Sequence, residues 1–299
     1  MTRLTYATRK SALALAQARA FMAELGKLVP GLEFEELHVV TTGDRVQDRS
    51  LSEIGGKGLF VKEIEEALLE KRAEIAVHSL KDVPPELAPG LVIGCFPRRA
   101  DPRDALVSRS GQKLAELPLG SRVGTSSLRR KVQLKSARPD LVISDLRGNV
   151  DTRLRKCKEG EFDAIVLASA GLTRLGRLEE ATEILDAGLM LPAVGQGALG
   201  IELRADDEAT ARLLEPASHP ETKIAVTAER GVMTAVSGNC QTPVAAYAIR
   251  DQGELWLRGM LAEPDGSRVR TRELRLGWPS SEAEAERAGL ELGAMLTKS

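Results

Sequence analysis

Aromatic side chains make up only 3% of this 299-residue chain, and cysteine and histidine occur three times each. So few aromatics argue against a single-strand nucleic-acid surface built on base stacking, and a formal net charge of -1 argues against the basic surface that nucleic-acid binders carry. Cys95, Cys157 and Cys240 are far apart, odd in number and form no CxxC pair. That argues against a disulfide framework and, with so few histidines to join them, against a bound metal. No apolar run is long enough to span a bilayer, and Met1-Thr2-Arg3-Leu4-Thr5-Tyr6 enters a strand pattern without a secretory h-region. A cytoplasmic protein is expected. Solenoid repeats and low-complexity segments are absent as well.

What is present describes a globular protein, 42% hydrophobic and 28% charged, long enough for two or three domains. Leu4 to Ala7 reads as a strand, Ser11 as the cap of a helix from Ala12 to about Leu25, and Phe34 to Thr41 as a second strand. Val61 to Lys71 has helical spacing and Ile75-Ala76-Val77 is a buried strand, so β-then-α units and a parallel sheet are expected. A second set with the same rhythm follows Asp101-Pro102-Arg103-Asp104, with strands at Arg122 to Gly124, Leu141 to Ser144 and Ala164 to Leu167. Leu191 to Gly200 reads as a hinge crossing, after which Ile201 to Leu203 returns to the first sheet. A helix from about Glu221 to Ala235, three strands of a meander beginning at Val244, Leu255 and Val269, and a final helix from Ser280 to Met295 form the remainder. The expected architecture is α/β: two similar doubly wound domains flanking a cleft, in the manner of periplasmic binding proteins, plus a smaller α+β C-terminal domain. Its boundaries are 1–98 with 198–217, 102–192 and 220–299.

Val123-Gly124-Thr125-Ser126-Ser127-Leu128-Arg129-Arg130 reads as strand, tight turn and helix start. Free backbone N–H groups, three hydroxyls and two guanidinium forks all offer donors to an anion, and Arg grips carboxylate with two bonds. Basic residues recur where other strands should end: Arg9, Lys81, Arg147 and Arg174. In doubly wound sheets these ends line the ligand crevice, so the basic groups converge although distant in sequence. Asp82, in a loop stiffened by Pro84 and Pro85, is the candidate catalyst, able to stabilise a developing cation or move protons. His78 reads as a packing or hydrogen-bonding residue. Gly55 to Phe60 lacks the spacing of a P-loop and reads as a flap, with Lys57 offering charge and Phe60 an aromatic surface. Cys95 fits a buried small hydrophobe, and Cys157, between Lys156 and Lys158, a surface helix position. Cys240 lies among small turn-forming residues, Val236 to Pro243, that leave its sulfur accessible as an attachment point or a nucleophile.

Several stretches together resemble the porphobilinogen deaminase family, also called hydroxymethylbilane synthases. They are Ala7 to Leu15, Gly55 to Phe60, His78 to Pro84, Val123 to Arg130, Leu146 to Asn149 with Thr152 to Leu154, Ala170 to Leu175, Leu191 to Gly197 and Cys240 to Pro243. Glu53 and Asn239 depart from the family's usual lysine and glycine. The resemblance implies that Cys240 carries a dipyrromethane cofactor through a thioether. It implies that porphobilinogen units are added to that primer with loss of ammonia before hydrolysis to 1-hydroxymethylbilane, and that Asp82 stabilises charge on the pyrrole nitrogens. By the same resemblance Lys81, Ser127, Arg129, Arg130 and Arg147 hold the cofactor, and Arg9, Ser11, Lys57, Phe60, Thr125, Ser126, Arg153, Arg174 and Gln196 the substrate. A monomer is expected, with no metal, nucleic acid or membrane partner. The rival reading is a non-catalytic two-domain anion-binding protein, which would leave Cys240 unmodified and Asp82 dispensable.

Overall fold

The computed structural model describes residues 2–45, 61–237 and 242–298. In chain order its main elements begin with β1 (Thr2–Arg9), α1 (Ala12–Leu28), β2 (Leu32–Val39), α2 (Lys62–Leu69), β3 (Ile75–Ser79), β4 (Leu91–Cys95) and β5 (Asp104–Ser108). There follow β6 (Arg122–Gly124), α3 (Leu128–Ala137), β7 (Val142–Ser144), α4 (Val150–Lys158), β8 (Ala164–Ala168), α5 (Ser169–Arg174) and β9 (Glu183–Ile184). The last are β10 (Leu199–Arg204), α6 (Glu208–Leu214), α7 (Pro220–Ala235), β11 (Val244–Asp251), β12 (Glu254–Leu261), β13 (Arg270–Gly277) and α8 (Glu282–Thr297). The chain divides into two compact units, Met1–Arg99 with Ala198–Lys223, and Ala100–Gly197 with Ile224–Ser299.

In the first unit the strand order is β2-β1-β3-β10-β4, with β1 parallel to both β2 and β3. Side chains alternate across each strand, so one face buries Leu4, Tyr6, Ile75, Val77, Ile201 and Leu203 against Ala18, Phe21, Met22 and Leu25 of α1. The other face buries Ala7, Val39 and Ala76 against Ile64, Ala67 and Leu68 of α2. Each fully buried Leu, Ile or Phe contributes roughly 1.5–3 kcal/mol through removal of apolar surface from water. Ser11 caps α1 as expected, its Oγ accepting from the Ala14 N–H at 3.3 Å. The return of the chain to this sheet is also found, but β10 runs antiparallel to β3 and β4. The sheet is therefore mixed, because β10 arrives along the crossing segment and not through a helix that would force it parallel.

The second unit repeats the pattern: β7-β6-β8-β5-β9, with β6 parallel to β7 and β8 and the fourth strand, β5, antiparallel. In each sheet the reversed strand is the one beside a chain crossing. The same unit carries the three-stranded antiparallel meander β11-β12-β13, whose apolar residues Ala246, Ala248, Leu255 and Leu257 pack on Ala228 and Val232 of α7 and Ala285, Ala288 and Leu292 of α8. The two helices touch backbone to backbone at glycine: a Cβ on Gly231 would lie 2.6 Å from the Glu286 carbonyl oxygen.

Cys157 corrects the sequence reading. It is buried, not a surface position, and packs with Leu154, Phe162 and Val107 while its thiol donates to the Val107 carbonyl at 3.6 Å. Its lysine neighbours point elsewhere because adjacent helical positions lie about 100° apart, and the residue three before it, Leu154, marks the inward stripe. Cys95 is buried as expected, and burial pushes its thiol up to about 12.

Candidate active site

In the first unit β1 and β3 lie side by side and parallel, so Arg9 and Ser79 end at one edge. A cavity of about 60 Å³ opens at that edge, lined among others by Arg9, Ser11, Gln17, Ile64, His78 and Asp82. Leu80–Asp82 is a single 3₁₀ turn that drops Leu80 into the core and leaves Lys81 and Asp82 exposed. The Leu80 N–H donates to the Ala198 carbonyl at 3.1 Å, which pins the turn to the start of β10. Val83 is extended at φ -87° and ψ 123°, the conformation a following proline enforces. The structure thus brings Asp82, Arg9 and Ser11 to one cavity, with Lys81 on the same turn. Ser11 gives its oxygen to the helix cap and retains its hydroxyl proton as a donor.

In the second unit the parallel strands β6, β7 and β8 deliver Thr125 to Arg130, Arg147 and α5 to one edge. The hydroxyls there divide their work. Thr125 is buried and accepts from the Ser127 N–H at 3.2 Å, and Ser126 donates to the Leu146 carbonyl at 2.9 Å; both shape the turn. Ser127 stands at the N-cap of α3 with no side-chain cap bond, so its hydroxyl and the helix's first N–H groups face the same anion-favouring end.

Arg129 and Arg130 are buried, and both turn toward Asp104, which is fully buried at the start of β5. Arg129 Nη1 donates to Asp104 Oδ2 at 2.8 Å and to the Leu191 carbonyl at 2.6 Å. Arg130 donates from Nε and Nη2 to Asp104 Oδ1 at 3.1 and 2.7 Å, and from Nη1 to the Val166 carbonyl at 3.0 Å. Burial pushes the Asp104 carboxyl up, but the two guanidinium charges outweigh it and hold the group well below the usual carboxylate range. One carboxylate cannot neutralise two guanidiniums, and among the described residues a buried positive charge is left over.

Arg174 adds to that excess. Its Nη2 donates to the Gly197 carbonyl at 2.7 Å, it has no carboxylate partner among the described residues, and desolvation alone pulls its guanidinium down to about 10. Arg147 and Arg153 are half-buried, and Arg153 Nε donates to the Gly148 carbonyl at 2.7 Å. Gln196 is buried and gives Nε2 to the Pro102 carbonyl at 2.6 Å and to Asp104 Oδ1 at 2.9 Å. It joins the same network that holds the two arginines. Lys57, Phe60 and Cys240 lie outside the described residues. No group of three or more acidic, histidine or cysteine side chains that could hold a metal occurs among the described residues.

Residues 4–212 match the sequence profile described as porphobilinogen deaminase, dipyromethane cofactor binding domain, and residues 223–298 match the profile for its C-terminal domain. The chain belongs to the porphobilinogen deaminase family. A porphobilinogen deaminase of Sorangium cellulosum (strain So ce56) is 64% identical over 297 residues, covering 99% of each chain. One from Syntrophobacter fumaroxidans (strain DSM 10017 / MPOB) is 50% identical over 292 residues, covering 98% of this chain and 93% of its own. Among solved structures, a YaeC-family lipoprotein from Enterococcus faecalis V583 aligns over 75% of this chain and 94% of its own with a TM-score of 0.42 and 15% identity. The family assignment makes the chain an enzyme of tetrapyrrole synthesis that contains a dipyrromethane-cofactor-binding domain.

Two buried acids that pair with residues singled out in the sequence carry little signal of their own there. Asp104 heads β5, a strand without a periodic signal, and its only mark is an acid placed directly before the apolar run Ala105-Leu106-Val107. Glu202 is the second. It interrupts the apolar strand Leu199–Arg204, is fully buried, and accepts from His78 Nε2 at 2.8 Å.

Proposed function

We propose that the chain is a transferase that joins porphobilinogen units head to tail on a dipyrromethane primer, with loss of ammonia, and releases 1-hydroxymethylbilane by hydrolysis. The observation that carries this reading is the unbalanced buried positive charge of the second unit, where Asp104 alone faces Arg129 and Arg130 and Arg174 has no carboxylate among the described residues. A desolvated cation without a counter-ion is costly, and a ligand carboxylate relieves that cost. Each pyrrole of substrate and primer brings an acetate and a propionate, so demand for cations grows as the product lengthens.

The donor set fits the primer. Lys81, Ser127, Arg129, Arg130 and Arg147 would hold its carboxylates, and Cys240 would hold its carbon through a thioether. When bound, the primer supplies the nucleophilic pyrrole carbon on which the product is built. Arg9, Ser11, Lys57, Phe60, Thr125, Ser126, Arg153, Arg174 and Gln196 would orient the substrate, with Gln196 and Thr125 acting through the shape of the edge and Arg174 through direct pairing. Asp82, exposed beside Arg9 and Ser11, would hold positive charge on the pyrrole nitrogen and take up a proton. No described helix is long and apolar enough to cross a membrane, and we take the working unit to be a cytoplasmic monomer.

Intact-mass measurement tests the reading. The purified protein is expected to exceed its sequence mass by two linked pyrroles, and Cys240→Ser is expected to lose that excess. An unmodified mass for protein that turns over porphobilinogen would overturn the attachment, and unchanged turnover in Asp82→Asn would remove Asp82 from the mechanism.

A further inference from the structure

His78 lies four residues before Asp82, near the end of β3. Alternation places Ala76 and His78 on the sheet face covered by α2, and the register sets Glu202 of β10 opposite Ala76 and Gly200 opposite His78. Glu202 is therefore the diagonal neighbour of His78 on that face. His78 Nε2 donates to Glu202 Oε2 at 2.8 Å, with the side chains 4% and 0% exposed. A carboxylate only accepts, so this bond keeps a proton on Nε2 and leaves Nδ1 as the basic nitrogen of the neutral ring.

Nδ1 has no hydrogen-bond partner among the described residues, and His78 lines the cavity that Asp82, Arg9 and Ser11 also line. Glu202 Oε1 is buried without a hydrogen bond among the described residues, an arrangement that costs stability. Replacing a buried pair of this kind by well-packed apolar side chains is often neutral or stabilising, so packing alone does not call for it. Burial pushes the Glu65 carboxyl of α2 up and its bond from the Ala88 N–H opposes this, with smaller influences from Glu202 and His78. The charged groups around the ring are thus Glu202 from β10, Glu65 from α2, Asp82 from the following turn and Arg9 from the end of β1.

We propose that His78, oriented by Glu202, serves the reaction through Asp82 as the group that receives the proton Asp82 takes up. It is a positioning residue and needs no contact with substrate. This rests on the function proposed above. In each coupling the substrate's ammonium nitrogen leaves as ammonia with the C–N electron pair, a C–C bond forms, and one ring C–H proton is given up. Asp82 takes that proton; its O–H bond then breaks as an N–H bond forms at His78 Nδ1. The ammonia released in the same cycle is a base and carries the proton away as ammonium. Asp82 is returned as carboxylate, and nothing is oxidised or reduced.

With three histidines in the chain, imidazole nitrogen spectra can be assigned by comparison with His78→Gln. His78 is expected to show the Nε2-protonated tautomer, with an Nδ1 resonance that moves in Asp82→Asn and on addition of porphobilinogen. His78→Gln and Glu202→Gln are each expected to lower kcat ten-fold or more with KM within two-fold, and the double variant to be no slower than the slower single. A His78 resonance indifferent to Asp82→Asn overturns the proposal, as does kcat within two-fold of wild type in both variants with only the melting temperature lowered. A wild-type protein that lacks the two-pyrrole mass, or leaves porphobilinogen unchanged, instead removes the parent reading. The response of His78 to Asp82→Asn, measured without substrate, still decides the pairing of the two residues.

Discussion

Asp104 Oδ1 lies 2.7 Å from Arg130 Nη2 and 3.1 Å from its Nε, while the other oxygen of the same carboxylate is given to Arg129. The acid that holds both arginines is thus a fully buried residue at the head of β5.

Asp104→Asn leaves two buried guanidiniums facing a neutral amide. Loss of one partner from a buried pair costs about 3–5 kcal/mol, and chemical denaturation should show a loss of that order. Asp101→Asn is the contrast. Its partner Arg103 is 44% exposed, and a pair of that kind is worth about 0–1 kcal/mol. Equal losses in the two variants would mean that the Asp104 network does not anchor the fold.

Arg174→Met should separate stability from binding. The guanidinium is desolvated with no carboxylate partner among the described residues, and an apolar side chain of similar length removes that cost. The melting temperature is expected to stay level or rise, while KM for porphobilinogen rises about ten-fold or more because a charge-assisted pair to a ligand carboxylate is gone. A lower melting temperature with unchanged KM would make Arg174 a brace for the Gly197 carbonyl and nothing more.

Glu36 should report acid sensitivity in the first unit. The Arg19 guanidinium, followed by hydrogen bonds from Tyr6 and His38, holds its carboxyl down to about 2 against an opposing push from burial. A depressed carboxyl contributes stability that is fully present above its unfolded value and is lost as pH falls through the folded one. The stability difference between wild type and Glu36→Gln should therefore be full at pH 7, shrink below about pH 4.5 and vanish near pH 2. A difference independent of pH across that window would show that the carboxylate's charge plays no part.

Gly231→Ala should force α7 and α8 apart. The added Cβ would lie 2.6 Å from the Glu286 carbonyl oxygen and 3.0 Å from the Gly289 Cα, both backbone atoms that cannot rotate away. Overpacking of this kind costs about 1–3 kcal/mol, and a melt of the variant checks it. A variant as stable as wild type would show that the helix pair has slack.

Local chemistry in the chain determined much of this. Periodicity located α2 and the meander, because a half-buried strand or helix must repeat its apolar side chains every 2 or 3.6 residues, and a continuous apolar run located the doubly buried β3. Ser11 marked a helix start, Pro84 marked an extended residue, and strand-end arginines marked an edge, since each of these signals acts within a few residues of itself.

Tertiary structure decided what depends on residues far apart. Cys157 lies between two lysines and is nevertheless buried, because the opposite wall, Val107, comes from a strand fifty positions earlier. The antiparallel course of β10 and β5 follows from where the chain crosses between units, which no local pattern encodes. Asp104 and Glu202 read as ordinary acids until strand pairing sets them against Arg130, 26 positions on, and His78, 124 positions back. Charge compensation in a buried site is a pairwise matter, and the pairs exist only once the sheets have formed.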